Sequence, residues 1–183
     1  RELEYFLCDD VESILYLANL GSIPLHVWAS RVGSLERPDW CILDLDPKDA
    51  PFAHVVQLAR AIHRLCQRIE LPCFAKTSGG TGLHILIPLA GQLTHAEARS
   101  LAQLLAQVIV RDDPQLATLT RTVARRAGRV YLDCMQNGHG KTIAGPFSAR
   151  AVAGARVSMP LRWSEVNARL DPAAFTIKTA LAR

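Results

Sequence analysis

The chain has 183 residues, 49% of them hydrophobic and 21% charged, a globular composition that excludes a disordered or low-complexity polymer. Its net charge of +4 and pI near 9.0 are mildly consistent with a polyanionic partner. No apolar stretch approaches the ~20 residues that span a bilayer, and Arg1-Glu2-Leu3-Glu4 lacks the basic end and apolar core of a leader. The five scattered cysteines make no CxxC pair and read as reduced core residues, which sets aside a disulfide scaffold and a zinc knuckle. A soluble cytoplasmic protein with one domain over 1–183 is expected.

In chain order, residues 9–20 predict a helix with Val11, Ile14, Leu15 and Ala18 on one stripe and Gly21 as its stop. Residues 23–29 predict a short strand carrying His26. Trp40-Cys41-Ile42-Leu43-Asp44-Leu45-Asp46-Pro47 reads as a buried strand halted by its proline. Alternation puts Cys41, Leu43 and Leu45 on one face and Ile42, Asp44 and Asp46 on the other, with like-facing Cα atoms roughly 6.5–7 Å apart. After Pro51, the apolar spacing from Val55 to Ile69 marks an amphipathic helix. Residues 73–77 and 83–89 read as strands joined by Ser78-Gly79-Gly80-Thr81-Gly82. Thr94 and Glu97 form a capping-box pattern that opens a helix toward Val110, ended by Asp112-Asp113-Pro114. Residues 129–135 give another strand, 137–140 a loop, and Ser164 caps a last helix over 165–170. Intermixed helices and strands around a central hairpin favour an α+β fold over a regular parallel sheet.

The chemistry is concentrated in a few segments. Two carboxylates side by side on a strand repel each other unless positive charge lies between them, and hard divalent ions prefer such oxygens. A strand end that has simply reached solvent is the competing reading of Asp44 and Asp46. Asp133 interrupts a second apolar strand in the same way, and a third carboxylate is what a two-ion site needs. The glycines after Ser78 allow positive φ and a nest of exposed N–H groups, to which Ser78 and Thr81 add hydroxyls and Lys76 and His84 add charge. The Gly-Lys-Ser/Thr ending of a P-loop is absent, no helix follows as a dinucleotide fingerprint requires, and a glycine-rich hairpin turn is the plain alternative. Lys141 and Arg150 are phosphate partners by type, or else solvated charges. His26 reads as a phosphate contact or an ordinary histidine, and His54 and His63 are assigned to the solvent side of their helix. Basic residues gather in the second half, including Arg121, Arg125, Arg126 and Arg129.

Taken in order, these segments resemble the polymerase domain of the bacterial end-joining ligase known as ligase D, within the archaeo-eukaryotic primase superfamily. The resemblance is carried by His26-Val27-Trp28, Asp44-Leu45-Asp46-Pro47, Lys76 to His84 with Ile85-Leu86-Ile87-Pro88 behind, and Gly128 to Asp133 with Gln136-Asn137. It continues through Thr142, Phe147-Ser148-Ala149-Arg150, and Gly154 to Leu161 leading to Trp163. It implies a primase-polymerase fold, an RRM-like sheet with flanking helices packed on a second α/β unit. It also implies that Asp44, Asp46 and Asp133 are catalytic and hold two magnesium or manganese ions. Ser78, Gly79, Gly80 and His84 would hold an incoming triphosphate with His26 and Lys76 nearby, and Arg126, Gln136, Lys141 and Arg150 would surround nucleotide and template.

The implied activity is template-directed addition of NTPs or dNTPs at DNA template-primer ends and gaps during double-strand break repair. Bacterial Ku and a ligase domain are the implied partners, at the nucleoid. Pro24 and Val27 depart from the glutamate and proline usual around this histidine, and the family's N-terminal stretch is expected to be missing. Primase-type primer synthesis and a non-catalytic nucleotide- or nucleic-acid-binding fragment are the alternatives.

Overall fold

The structure, a computed structural model, describes residues 4–182, so residues 1–3 of the segment read above for a leader lie outside the described residues. Along the chain come α1 (Val11–Asn19), β1 (His26–Trp28), β2 (Trp40–Asp46), α2 (Phe52–Arg68), β3 (Phe74–Thr77), β4 (Leu83–Pro88), α3 (His95–Asp112), β5 (Ala117–Thr118), β6 (Val130–Asp133), β7 (Thr142–Ala144) and β8 (Pro160–Leu161). Short 3-10 turns follow β6 and β8.

Six strands form one sheet in the order β5-β6-β2-β4-β3-β8, antiparallel except for β5 beside β6, and β1 pairs with β7 in a separate two-stranded sheet. Alternation along β2 sets the layers. Cys41, Leu43 and Leu45 are fully enclosed on one face, against Val55, Leu58, Ala59 and Ile62 of α2 and Ala98, Ala102 and Ala106 of α3. Each large side chain so buried contributes about 1.5–3 kcal/mol relative to exposure. On the opposite face Ile42 packs with Ala29, Ile143 and Trp40 in a much smaller cluster. Both long helices therefore cover one side of the sheet, and the β1–β7 pair lies over part of the side that carries Asp44 and Asp46.

Local chemistry explains the helix ends. Thr94 Oγ1 accepts from the Glu97 N–H at 3.3 Å while Glu97 Oε2 accepts from the Thr94 N–H at 2.8 Å, which completes the expected capping box. Asp10 caps α1 by accepting from the Ser13 N–H at 2.7 Å. The stripe on that helix, however, is not buried: Val11, Ile14 and Leu15 are 66%, 49% and 63% exposed.

The expected last helix over 165–170 does not form. Arg162 instead donates its N–H to Glu165 Oε2 at 2.7 Å and a single 3-10 turn covers Trp163–Glu165. Asn167 then binds the Ser164 carbonyl and the Arg169 N–H through its side chain, capturing groups that a helix would use. Two smaller expectations also change. Cys8 is exposed, although the other four cysteines are buried and all are unpaired. His63 is half-buried and stacked on Trp163, with ring centroids 3.9 Å apart, because the C-terminal segment returns over α2. Among the described residues no helix is long and apolar enough to cross a membrane.

Candidate active site

Strand register gathers the site. Lys76 pairs with His84, His84 with Asp44, and Asp44 with Asp133, so four residues from β3, β4, β2 and β6 form one row across the sheet. The row runs from two basic side chains to two acidic ones. Asp46 lies two residues beyond Asp44 on the same face and pairs with Tyr131. Burial, reinforced by the neighbouring charges of Asp133 and Asp46, pushes the Asp44 carboxyl up to about 7.

The three carboxylates are neighbours, yet each has turned to its own donor. Asp46 Oδ2 receives the Arg126 guanidinium at 2.8 Å, and its other oxygen accepts from the Lys48 N–H at 3.2 Å. Asp133 Oδ1 accepts from the Met135 N–H at 2.7 Å and from the Tyr131 hydroxyl at 3.2 Å. Asp44 Oδ1 stands 3.6 Å from His84 Nε2. Among the described residues no three carboxylate, thiol or imidazole groups converge closely enough to enclose an ion, a difference from the two-ion site expected above. Like charges held side by side repel, and each carboxylate takes the donor nearest to it. The donor set itself suits a hard divalent ion. Three carboxylates from two adjacent strands, one of them pushed up to about 7 by burial and by its acidic neighbours, are short of positive charge.

The glycine-rich turn lies at the end of the β3–β4 hairpin. Ser78 Oγ accepts from the N–H groups of Gly80 and Gly82, each at 3.1 Å, which leaves its own hydrogen free to donate outward. Gly79 has φ of +74° and is packed so closely that a Cβ there would lie 2.5 Å from Arg150 Cγ. Two arginines brace the turn: Arg156 donates to the Gly80 carbonyl at 3.1 Å and Arg150 to the Ser78 carbonyl at 3.5 Å. His26 on β1 belongs to the same neighbourhood, since burial and the charges of Arg150 and Lys76 lower its pKa.

The sequence and the fold both match proteins of known kind. The family of the LigD primase-polymerase domain matches residues 1–183. The chain belongs to that family. It is 35% identical over 182 residues to the bifunctional non-homologous end joining protein LigD of Bacillus subtilis, covering 98% of this chain and 30% of that protein. Against the multifunctional LigD of Pseudomonas aeruginosa it is 32% identical over 157 residues, 85% of this chain and 19% of the relative. The polymerase domain of Mycobacterium tuberculosis ligase D, solved in complex with DNA, superposes with a TM-score of 0.85 at 31% identity. That likeness covers 96% of this chain and 64% of the solved one.

Within this LigD-type fold, the residues singled out by sequence do not all share one setting. Asp44, Asp46, Asp133, His84 and Arg126 share the row or touch it, while Ser78, Gly79, Gly80, His26 and Arg150 surround the turn beside it. Gln136 and Lys141 lie on the segment after β6, and among the described residues neither has a hydrogen bond to the carboxylates. Lys76, read above as added charge beside the turn, joins the row through His84. It is 2% exposed, and its ammonium binds His84 Nδ1 at 2.7 Å, the Ala144 carbonyl at 2.8 Å and Ser158 Oγ at 2.6 Å.

Sequence reasoning gave no role to three residues that hold the site. Asn137, 1% exposed, accepts from the Ile42 N–H and donates to the Ile42 carbonyl, both at 2.7 Å. Its carboxamide thus continues the β2 ladder where β6 has ended. Arg156 braces the turn, and Ser158, fully enclosed, links Lys76 to the Thr77 carbonyl. A signal for Asn137 did exist, since an asparagine just past a strand is suited to backbone-mimicking bonds.

Proposed function

We propose that this chain is the catalytic part of a template-directed nucleotidyltransferase that fills gaps or extends ends in DNA during double-strand break repair. The observation that carries the reading is the pairing of Asp44 with Asp133, with Asp46 on the same face, next to a turn that offers hydroxyl and arginine donors. Asp44, Asp46 and Asp133 are the residues that would hold two magnesium or manganese ions, which supply activation of a primer 3′-hydroxyl and charge neutralisation at the triphosphate. The chain's own groups do the rest. Ser78 and Arg150 orient the triphosphate at the turn, and positive charge there offsets the charge developing on phosphoryl oxygens. His26 and His84 offer neutral N–H donors, because burial lowers both pKa values. Arg126 holds Asp46 in place until a cation competes for the carboxylate.

LigD relatives are named for non-homologous end joining, and the neighbouring ligase D domain was solved with DNA. By that likeness, DNA ends, nucleoside triphosphates, a Ku-type end-binding protein and a ligase domain are the partners of this chain.

A second reading has one observation in its favour. Asp46 is already paired with the Arg126 guanidinium at 2.8 Å, which suits a module that binds nucleotide or nucleic acid without turning it over. Gapped, 5′-phosphorylated DNA carrying each of the four template bases separates the readings when incubated with manganese and labelled nucleotides. Incorporation of the complementary nucleotide at every template supports the proposal. Nucleotide binding without incorporation sinks it in favour of the second reading, and synthesis that needs no primer replaces it with primase activity.

A further inference from the structure

The buried basic pair behind the carboxylates has a consequence of its own. Lys76 is 2% exposed and His84 is 4% exposed, so neither reaches solvent for its hydrogen bonds. Counting donors fixes who gives and who receives. The Ala144 carbonyl can only accept from Lys76, at 2.8 Å. The Ser158 hydroxyl gives its hydrogen to the Thr77 carbonyl at 2.8 Å, so it must accept from Lys76 at 2.6 Å. Two of the three ammonium hydrogens are thereby used. The third points at His84 Nδ1, 2.7 Å away. A ring nitrogen that accepts carries no hydrogen, so the neutral ring holds its proton on Nε2. That nitrogen is the one facing Asp44, 3.6 Å from its Oδ1.

We propose that Lys76 is a positioning residue which locks His84 in the Nε2–H tautomer, so that a donor, not a lone pair, faces the Asp44 side of the site. The ligand it serves is an anionic oxygen, and on the nucleotidyltransferase reading, on which this part rests, that oxygen belongs to a nucleoside triphosphate. Lys76 itself never touches the ligand. The sequence separations show why no local pattern specifies this: Ala144 and Ser158 come to Lys76 from 68 and 82 residues away. The buried ammonium also helps keep the imidazole neutral, since burial and the Lys76 charge both lower the His84 pKa.

The test is nitrogen NMR of histidine-labelled protein, run without nucleotide and at a pH below the value of about 7 to which burial brings Lys76. The His84 signals should show a protonated Nε2 and a bare Nδ1. In Lys76→Met, of similar volume, the lock is gone and the signals should move toward a tautomer mixture. Binding of ATP with magnesium, measured by calorimetry, should weaken on the order of tenfold in the same variant, the loss expected for one charge-assisted donor. A protonated Nδ1 in the wild-type protein overturns the proposal outright, and needs no variant to fold. Unchanged tautomer or unchanged ATP affinity in a folded Lys76→Met overturns it too. Failure of the wild-type protein to bind ATP would remove the triphosphate reading instead, while the NMR result would still decide the tautomer.

Discussion

Asp44 and Lys76 stand one strand apart from each other across His84, and their protonation runs in opposite directions. Asp44 is raised from 3.8 to about 7, chiefly by burial and then by Asp133 and Asp46, so the folded chain holds a proton that the unfolded chain has released. Its contribution to stability is complete below 3.8 and is lost as pH rises through about 7. Lys76 is lowered from 10.5 to about 7 by burial, so the folded chain releases a proton that the unfolded chain keeps. Stability on its account rises with pH between about 7 and 10.5. The two contributions together pass through a minimum near pH 7, read in a chelator as the difference in thermal unfolding between the parent and its variants. Asp44→Asn should flatten the acid limb and Lys76→Met the alkaline one, whereas a profile that Asp44→Asn leaves unchanged would mean that this carboxyl is not held protonated. Gly82 makes a separate prediction. A Cβ there would stand 2.2 Å from the carbonyl oxygen of Leu45, the residue between Asp44 and Asp46. Gly82→Ala should cost at least about 2 kcal/mol, read as a lowered denaturant midpoint.

The long elements were legible because each carries a period. β2 and β4 alternate or run apolar over six or seven residues, and α2 repeats its apolar stripe through Ile62 and Cys66. β5, β7 and β8 have two or three residues each, too few for any period, and they exist because partner strands supply the other half of their hydrogen bonds. The candidate site divides in the same way. Asp44 and Asp46 were readable on one strand face, but their meeting with Asp133 depends on which strand lies beside β2, a choice made by the whole sheet. Asn137 joins the elements most directly. Asn137→Ala would strand the buried N–H and carbonyl of Ile42 and should cost about 3 kcal/mol. For a domain of this size that is roughly 6–12 °C in Tm, and a shift under a degree would show that β2 does not need this side chain.

At the scale of the molecule, the sheet has one face sealed by α2 and α3, and the charged row lies on the other. The apolar side chains of α1 belong to neither face, so Ile14→Lys, at a position 49% exposed, should change stability by less than about 0.5 kcal/mol in chemical denaturation. A loss of several times that would place α1 against the core. The central claim, however, rests on the carboxylates, and one measurement reaches it most directly. Extension of a gapped, 5′-phosphorylated template-primer with manganese should be compared between the parent and Asp46→Ala, each shown to be folded by circular dichroism. Template-dependent extension by the parent and at least a hundredfold less by Asp46→Ala, on the order expected when a group that holds transition-state charge is removed, is the predicted result. Equal extension by the two proteins would contradict the assignment of the reaction to Asp44, Asp46 and Asp133.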